Sequence, residues 1–136
     1  MKEEYFQEFQ GVPNSLTKAR ESMSNYLKSN SKLSNSQIFD VEIAFGEVIQ
    51  NIVRYGYKGG QTEKTYKIWI TNKQNLLKVL IKDSATPIQD LSFLTEKHLP
   101  SELGKMGISL INKIASNYTI IPQSDGNLHT LEFSSS

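Results

Sequence analysis

The sequence predicts an α+β fold: a two-layer sandwich with helices on one face of a mainly antiparallel sheet. Two observations carry this. Val41, Ala44, Phe45, Val48, Ile49, Ile52 and Val53 follow the apolar template of an amphipathic helix without a miss. Before and after that segment, short alternating apolar runs are joined by polar breaks, the pattern of β-hairpins. The resulting order is β-α-α-β-β-loop-α-β-β.

Taken from the N-terminus, Tyr5, Phe6 and Phe9 precede Gly11 and Pro13 and predict a first strand. Asn14 or Ser15 is placed to cap a helix reaching about residue 29, with Leu16, Ala19, Met23, Tyr26 and Leu27 at helical spacing. Asn35 or Ser36 opens the strongly periodic helix, which is expected to end near Tyr55 and Gly56, the glycine in a left-handed cap conformation. Gly59 and Gly60 make a turn. Residues 66–70 alternate as a strand, residues 72–75 break it, and residues 76–82 return. From Asp83 to Gly107 the chain is polar and irregular, with Pro87 and Pro100; so long a loop in a compact domain predicts either a functional lid or a disordered segment. Residues 108–114 resume a helical pattern, and residues 118–121 and 128–133 close the chain as a hairpin around Asp125, Gly126 and Asn127.

At 136 residues the chain is expected to be one domain, 1–136, with room for a real core. A net charge of +1 gives no broad electrostatic case for nucleic acid or an acidic membrane surface. The absence of cysteine excludes a disulfide scaffold and a thiolate metal site, and fits a reducing compartment. The acidic start lacks the apolar run of a secretory signal, and no stretch approaches the ~20 apolar residues that span a bilayer. A cytoplasmic protein is the expectation.

Three small constellations could carry chemistry. Glu47 and Asn51, at i and i+4, emerge one turn apart on one face of the periodic helix. A carboxamide oxygen suits a hard divalent cation, and a carboxylate beside it can take a proton from a water or hydroxyl; the same pair also suits a plain solvated helix face. Asp83 ends an apolar strand, where it can accept from an exocyclic amine or simply sit in a turn. The small residues after it leave room for a planar ring. Gly104 to Gly107 stand before a helix, where glycine permits close approach and the first N–H groups attract phosphate. Such a glycine pair is otherwise a common connector. It has neither P-loop nor dinucleotide-fingerprint spacing.

Together, in this order, the three resemble the GHKL (Bergerat-fold, histidine-kinase-like) ATPases, and within them the small anti-sigma factor serine/threonine kinases. Glu47-Val48-Ile49-Gln50-Asn51-Ile52-Val53-Arg54-Tyr55-Gly56-Tyr57 is similar to that family's N box. Asp83-Ser84-Ala85-Thr86-Pro87 and Leu103-Gly104-Lys105-Met106-Gly107-Ile108 are similar to its two glycine boxes, and Gly126-Asn127-Leu128 to its terminal hairpin. The resemblance implies ATP and Mg²⁺ as cofactors. It makes Glu47 the general base, Asn51 the Mg²⁺ ligand and Asp83 the adenine-recognising carboxylate. It adds Ala85, Pro87, Gly104, Lys105, Met106 and Gly107 to the nucleotide site, and a lid over about 88–103. It further implies a serine acceptor on a STAS-type antagonist, a sigma factor or related partner, and a homodimer.

The first box lacks glycine, and the second has Lys105 where a second glycine is common. These departures favour the alternative of a non-catalytic, nucleotide-responsive interaction module. Retention of both Glu47 and Asn51 favours the kinase. His98 and His129 are read as ordinary surface or strand histidines, and Tyr118 as a core or sheet-face residue.

Overall fold

The alternating runs of the sequence form a five-stranded antiparallel sheet in the computed structural model, which describes residues 4–60, 63–94 and 105–134. The strands are β1 (Tyr5–Gln10), β2 (Thr65–Lys73), β3 (Leu76–Asp83), β4 (Asn117–Gln123) and β5 (Gly126–Ser134). Their order across the sheet is β1-β2-β3-β5-β4. The last hairpin therefore brings β5 beside β3, so that Asp83 pairs with Asn127 and Ile81 with His129. The β2–β3 turn tightens onto Gln74 and Asn75, at φ 52° and 64°, the left-handed geometry that two-residue hairpin loops require.

Helices α1 (Ser15–Asn30), α2 (Asn35–Asn51) and α3 (Lys105–Ile114) cover the inward face of the sheet, where Tyr66, Ile68, Val79, Ile81 and Leu131 are fully buried. All seven apolar stripe positions of the periodic helix are buried. Five of them are Val or Ile, which are weaker helix formers than leucine by only a few tenths of a kcal/mol. Burying each of these side chains is worth about 1.5–3 kcal/mol. Packing decides the conformation.

The helix ends differ from the sequence expectations. Asn14 makes no capping hydrogen bond; Ser15 lies inside α1, where its hydroxyl donates to the Val12 carbonyl and accepts from Tyr66 Oη at 2.6 Å. The cap of α2 is Ser34, one residue before the expected pair, because Gln37 stands where it can complete a reciprocal capping box. Nor does Gly56 form a left-handed cap. The helix unwinds through a π-helical turn, Ile52–Gly56, with Tyr57 N–H donating to the Ile52 carbonyl at 2.8 Å. Positive φ falls instead on Lys58, Gly59 and Gly60. Gly56 is small for another reason: a Cβ there would stand 3.0 Å from that of Ala85, so the glycine admits the chain leaving β3.

Helix α3 begins three residues earlier than expected, at Lys105 rather than Ile108. Lys and Met are good helix formers, and Gly107 is tolerated inside the helix because it meets α2 at close range. The Lys105 backbone thereby takes an ordinary right-handed conformation. Gly104, His98 and residues 95–103 of the expected lid lie outside the described residues.

Candidate functional site

A cavity of about 420 Å³ opens where the end of α2, the ends of β3 and β5, and α3 converge. Its size falls within the usual range of small-molecule pockets, about 300–1,000 Å³. Ile52, Ile88, Ile108 and Ile120 give it apolar walls, while Asp83, Asn127, His129 and Tyr118 form a polar floor. Asn51, Tyr55 and Lys58 stand at its α2 side.

Asp83 is 2% exposed, an environment that would expel an unpaired carboxylate. It is held by converging donors. The Ala85 N–H, the Asn127 N–H and the Asn127 side-chain amide all reach Oδ1, at 3.0, 3.2 and 3.0 Å. His129 Nε2 lies 2.6 Å from Oδ2. Burial pushes the Asp83 pKa up, but His129, then Asn127 and the Ala85 N–H, outweigh it and hold it below its ordinary value. Behind His129, Tyr118 Oη sits 2.9 Å from Nδ1. Burial, and after it the charge of Asp83, drive the Tyr118 phenol far above its ordinary pKa, so this hydroxyl keeps its proton.

The floor depends on two further devices. Gly126, at φ 153°, lets the start of β5 close against the Asp83 carbonyl, into which any Cβ would run. Tyr57, fully buried, accepts from the Ser84 N–H at 2.7 Å and donates to the Thr65 carbonyl at 2.6 Å. It thereby ties the turn after Asp83 to the start of β2. Asn127 completes the clamp, accepting from the Ile88 N–H and donating to the Thr86 carbonyl.

The N-box pair lies further along α2. Asn51 lines the cavity, whereas Glu47, one turn earlier, does not. Glu47 stands instead against α3: a Cβ on Gly107 would lie 2.5 Å from Glu47 Oε2 and 3.8 Å from Asn51 Nδ2. The absence of a side chain at residue 107 is what lets α3 approach both. Asp83, Asn51 and Glu47 thus run in sequence from the buried floor outward. Of the other candidates, Ala85 lines the cavity and Pro87 does not, although Thr86 and Ile88 on either side of it do. Lys105, Met106 and Gly107 form the first turn of α3.

Among the described residues no group of three or more His, Cys, Asp or Glu side chains could hold a metal ion, so no protein cage of the zinc or calcium kind occurs there. The Asn51 carboxamide at the cavity wall suits a different arrangement. Mg²⁺ keeps several waters and takes its remaining ligands from one or two side chains and substrate phosphate, and Asn51 fits that demand.

Sequence reasoning left Asn127 and Tyr118 without a part in the site and read His129 as ordinary. A signal was available: positions 129, 131 and 133 share the inward phase of their strand, so a histidine at 129 requires a buried polar partner. Tyr55 and Lys58, at the cavity mouth, carried no such signal.

Residues 9–133 match the family model described as Histidine kinase-like ATPase domain. No curated protein matches the chain in sequence. Among solved structures, the RsbU and RsbW domains of Rv1364c from Mycobacterium tuberculosis superpose with a TM-score of 0.71 at 14% identity, covering 98% of this chain and 32% of that one. The blue-light activated histidine kinase of Erythrobacter litoralis EL346 gives 0.62 at 10% identity, covering 79% and 33%. The Acinetobacter baumannii histidine kinase AdeS gives 0.56 at 13% identity, covering 97% and 68%. The chain thus spans about a third of the length of the first two.

Proposed function

The chain belongs to the histidine kinase-like ATPase domain family, and we propose that it binds ATP–Mg²⁺ and phosphorylates a serine or threonine on a partner protein. One observation carries this reading: a buried carboxylate at the cavity floor, held by hydrogen bonds on both oxygens, with Asn51 on the wall and Glu47 beyond it. A nucleotide laid base-first into the cavity would meet the three in that order. Asp83 accepts from the base amine, and the isoleucine walls enclose the ring. Asn51 would hold Mg²⁺, which when bound would offset the charge of the phosphates. Glu47 sits one helical turn further out, about 5–6 Å away, where the acceptor hydroxyl arrives, and takes its proton as the hydroxyl attacks the terminal phosphorus and the bond to the bridging oxygen breaks, releasing ADP. The first turn of α3, with Gly104 before it, presents backbone N–H groups to the phosphates.

The likeness to the RsbU and RsbW domains supports placing the protein in the anti-sigma branch. The acceptor is then a STAS-type antagonist, the sequestered partner a sigma factor or related regulator, and the working unit a homodimer. Among the described residues no helix is long and apolar enough to cross a membrane. The competing reading is a nucleotide-responsive module without transfer, favoured by the separation of Glu47 from the cavity that Asn51 and Asp83 share. Radiolabelled ATP–Mg²⁺ and a STAS partner decide between them. The kinase labels a partner serine or threonine and Glu47→Ala abolishes the label; nucleotide binding with no label on the partner refutes the kinase.

A further inference from the structure

The polar floor has an unusual degree of saturation. Oδ1 of Asp83 already receives three N–H donors, which leaves it no capacity for a ligand. Oδ2 is engaged from one side by His129, at 2.6 Å. A carboxylate only accepts, so the His129 Nε2 carries the hydrogen. In the neutral imidazole Nδ1 then accepts from the Tyr118 O–H, at 2.9 Å, and the two rings lie within 14° of parallel, fixing the imidazole plane. Asn127 is equally committed: its amide hydrogens go to Asp83 and the Thr86 carbonyl, and its oxygen to the Ile88 N–H. Among the described residues these are the groups that engage Asp83, and they leave it one acceptor position for the cavity, on Oδ2.

From this geometry, and resting on the nucleotide reading above, we infer that His129 is a positioning residue that sets base specificity by holding Asp83 to one acceptor. Adenine needs one acceptor for its exocyclic amine. Guanine presents N1–H and an exocyclic amine side by side, a pair that an unencumbered carboxylate receives with both oxygens. With Oδ1 saturated and half of Oδ2 occupied, that pair leaves one donor unmet in a buried pocket, where an unpaired polar group is costly. Without His129, Oδ1 stays saturated but Oδ2 regains its second position, so that both guanine donors can converge on that one oxygen. The histidine thus acts through Asp83 and need not touch the base.

Calorimetric titration of wild type, His129→Leu, His129→Gln and Tyr118→Phe with ATP–Mg²⁺ and GTP–Mg²⁺ tests this. Wild type is expected to prefer ATP by about 100-fold or more. His129→Leu is expected to lower that ratio at least about tenfold, the effect of one hydrogen bond to a charged group. His129→Gln keeps an N–H donor and is expected to restore the ratio to within about threefold of wild type. Tyr118→Phe frees the imidazole to turn and gives an intermediate loss of about threefold. A merely structural histidine would change stability and leave the ratio where it was. An unchanged ratio in His129→Leu, with ATP still bound, overturns the proposal while leaving the nucleotide site intact. Should His129→Leu not fold, Tyr118→Phe decides in the same way. Failure of wild type to bind either nucleotide removes the nucleotide reading itself, and the proposal with it.

Discussion

Gly107→Ala separates the placing of Glu47 from the stability of the fold. The added Cβ would lie 2.5 Å from Glu47 Oε2 and 3.4 Å from its Cδ. Relaxed carbon–oxygen contacts fall at about 3.3–3.6 Å, so the carboxylate must withdraw by roughly 1 Å. The far end of a flexible side chain can do so cheaply. The substitution also replaces glycine within α3 by the best helix former, a gain of up to about 1 kcal/mol. Asn51 Nδ2, at 3.8 Å, is in ordinary contact and has no reason to move. A displacement of about 1 Å at a reacting group can cost about a hundredfold in rate. Single-turnover rapid-quench transfer from labelled ATP, with nucleotide affinity and thermal midpoint measured on the same protein, reads all three quantities. The expected result is a rate down by about two orders of magnitude, affinity within about threefold, and a thermal midpoint that is unchanged or higher. An unaffected rate refutes the catalytic placement of Glu47; a fall in midpoint refutes the argument that the contact is cheap to relax.

Two other substitutions probe the Asp83 floor. Gly126→Ala meets both a positive φ and the Asp83 carbonyl; backbone cannot retreat as a side chain can, so a loss of at least about 2 kcal/mol in urea unfolding is expected. Stability like wild type would show that the β3–β5 junction is looser than described. Acidification gives the second test. With a folded pKa below its unfolded value, Asp83 stabilises the protein fully above about pH 4 and loses that contribution as pH falls through the folded value. Unfolding midpoints measured between about pH 7 and pH 3 should therefore fall in wild type at the acid end, with a shallower fall in Asp83→Asn. Identical slopes would remove the linkage.

The parts of the fold that the sequence disclosed are those with a period. The α2 stripe could be read because burial repeats every three or four residues, and each hairpin because its phase repeats every two. The chain turns were less legible, since they depend on geometry between distant segments. Ser34 caps α2 only because Gln37 reaches back to it, and Gly56 is explained by Ala85 rather than by a left-handed cap. Gly107 looked like a connector before a helix, yet it lies within one, its small size answering to Glu47 60 positions earlier in the sequence. Asp83 stood out as a polar residue closing an apolar strand. His129 did not, because its partner is 46 residues away and only the β3–β5 register unites them.

The most direct test of the central claim, that this cavity receives the base of ATP on Asp83, is calorimetric titration of wild type and Asp83→Ala with ATP–Mg²⁺. Wild type should bind, and Asp83→Ala, melting as a folded protein, should bind at least about tenfold more weakly for the loss of one charged hydrogen bond. Equal affinity in the two proteins would contradict the assignment of Asp83 to the base.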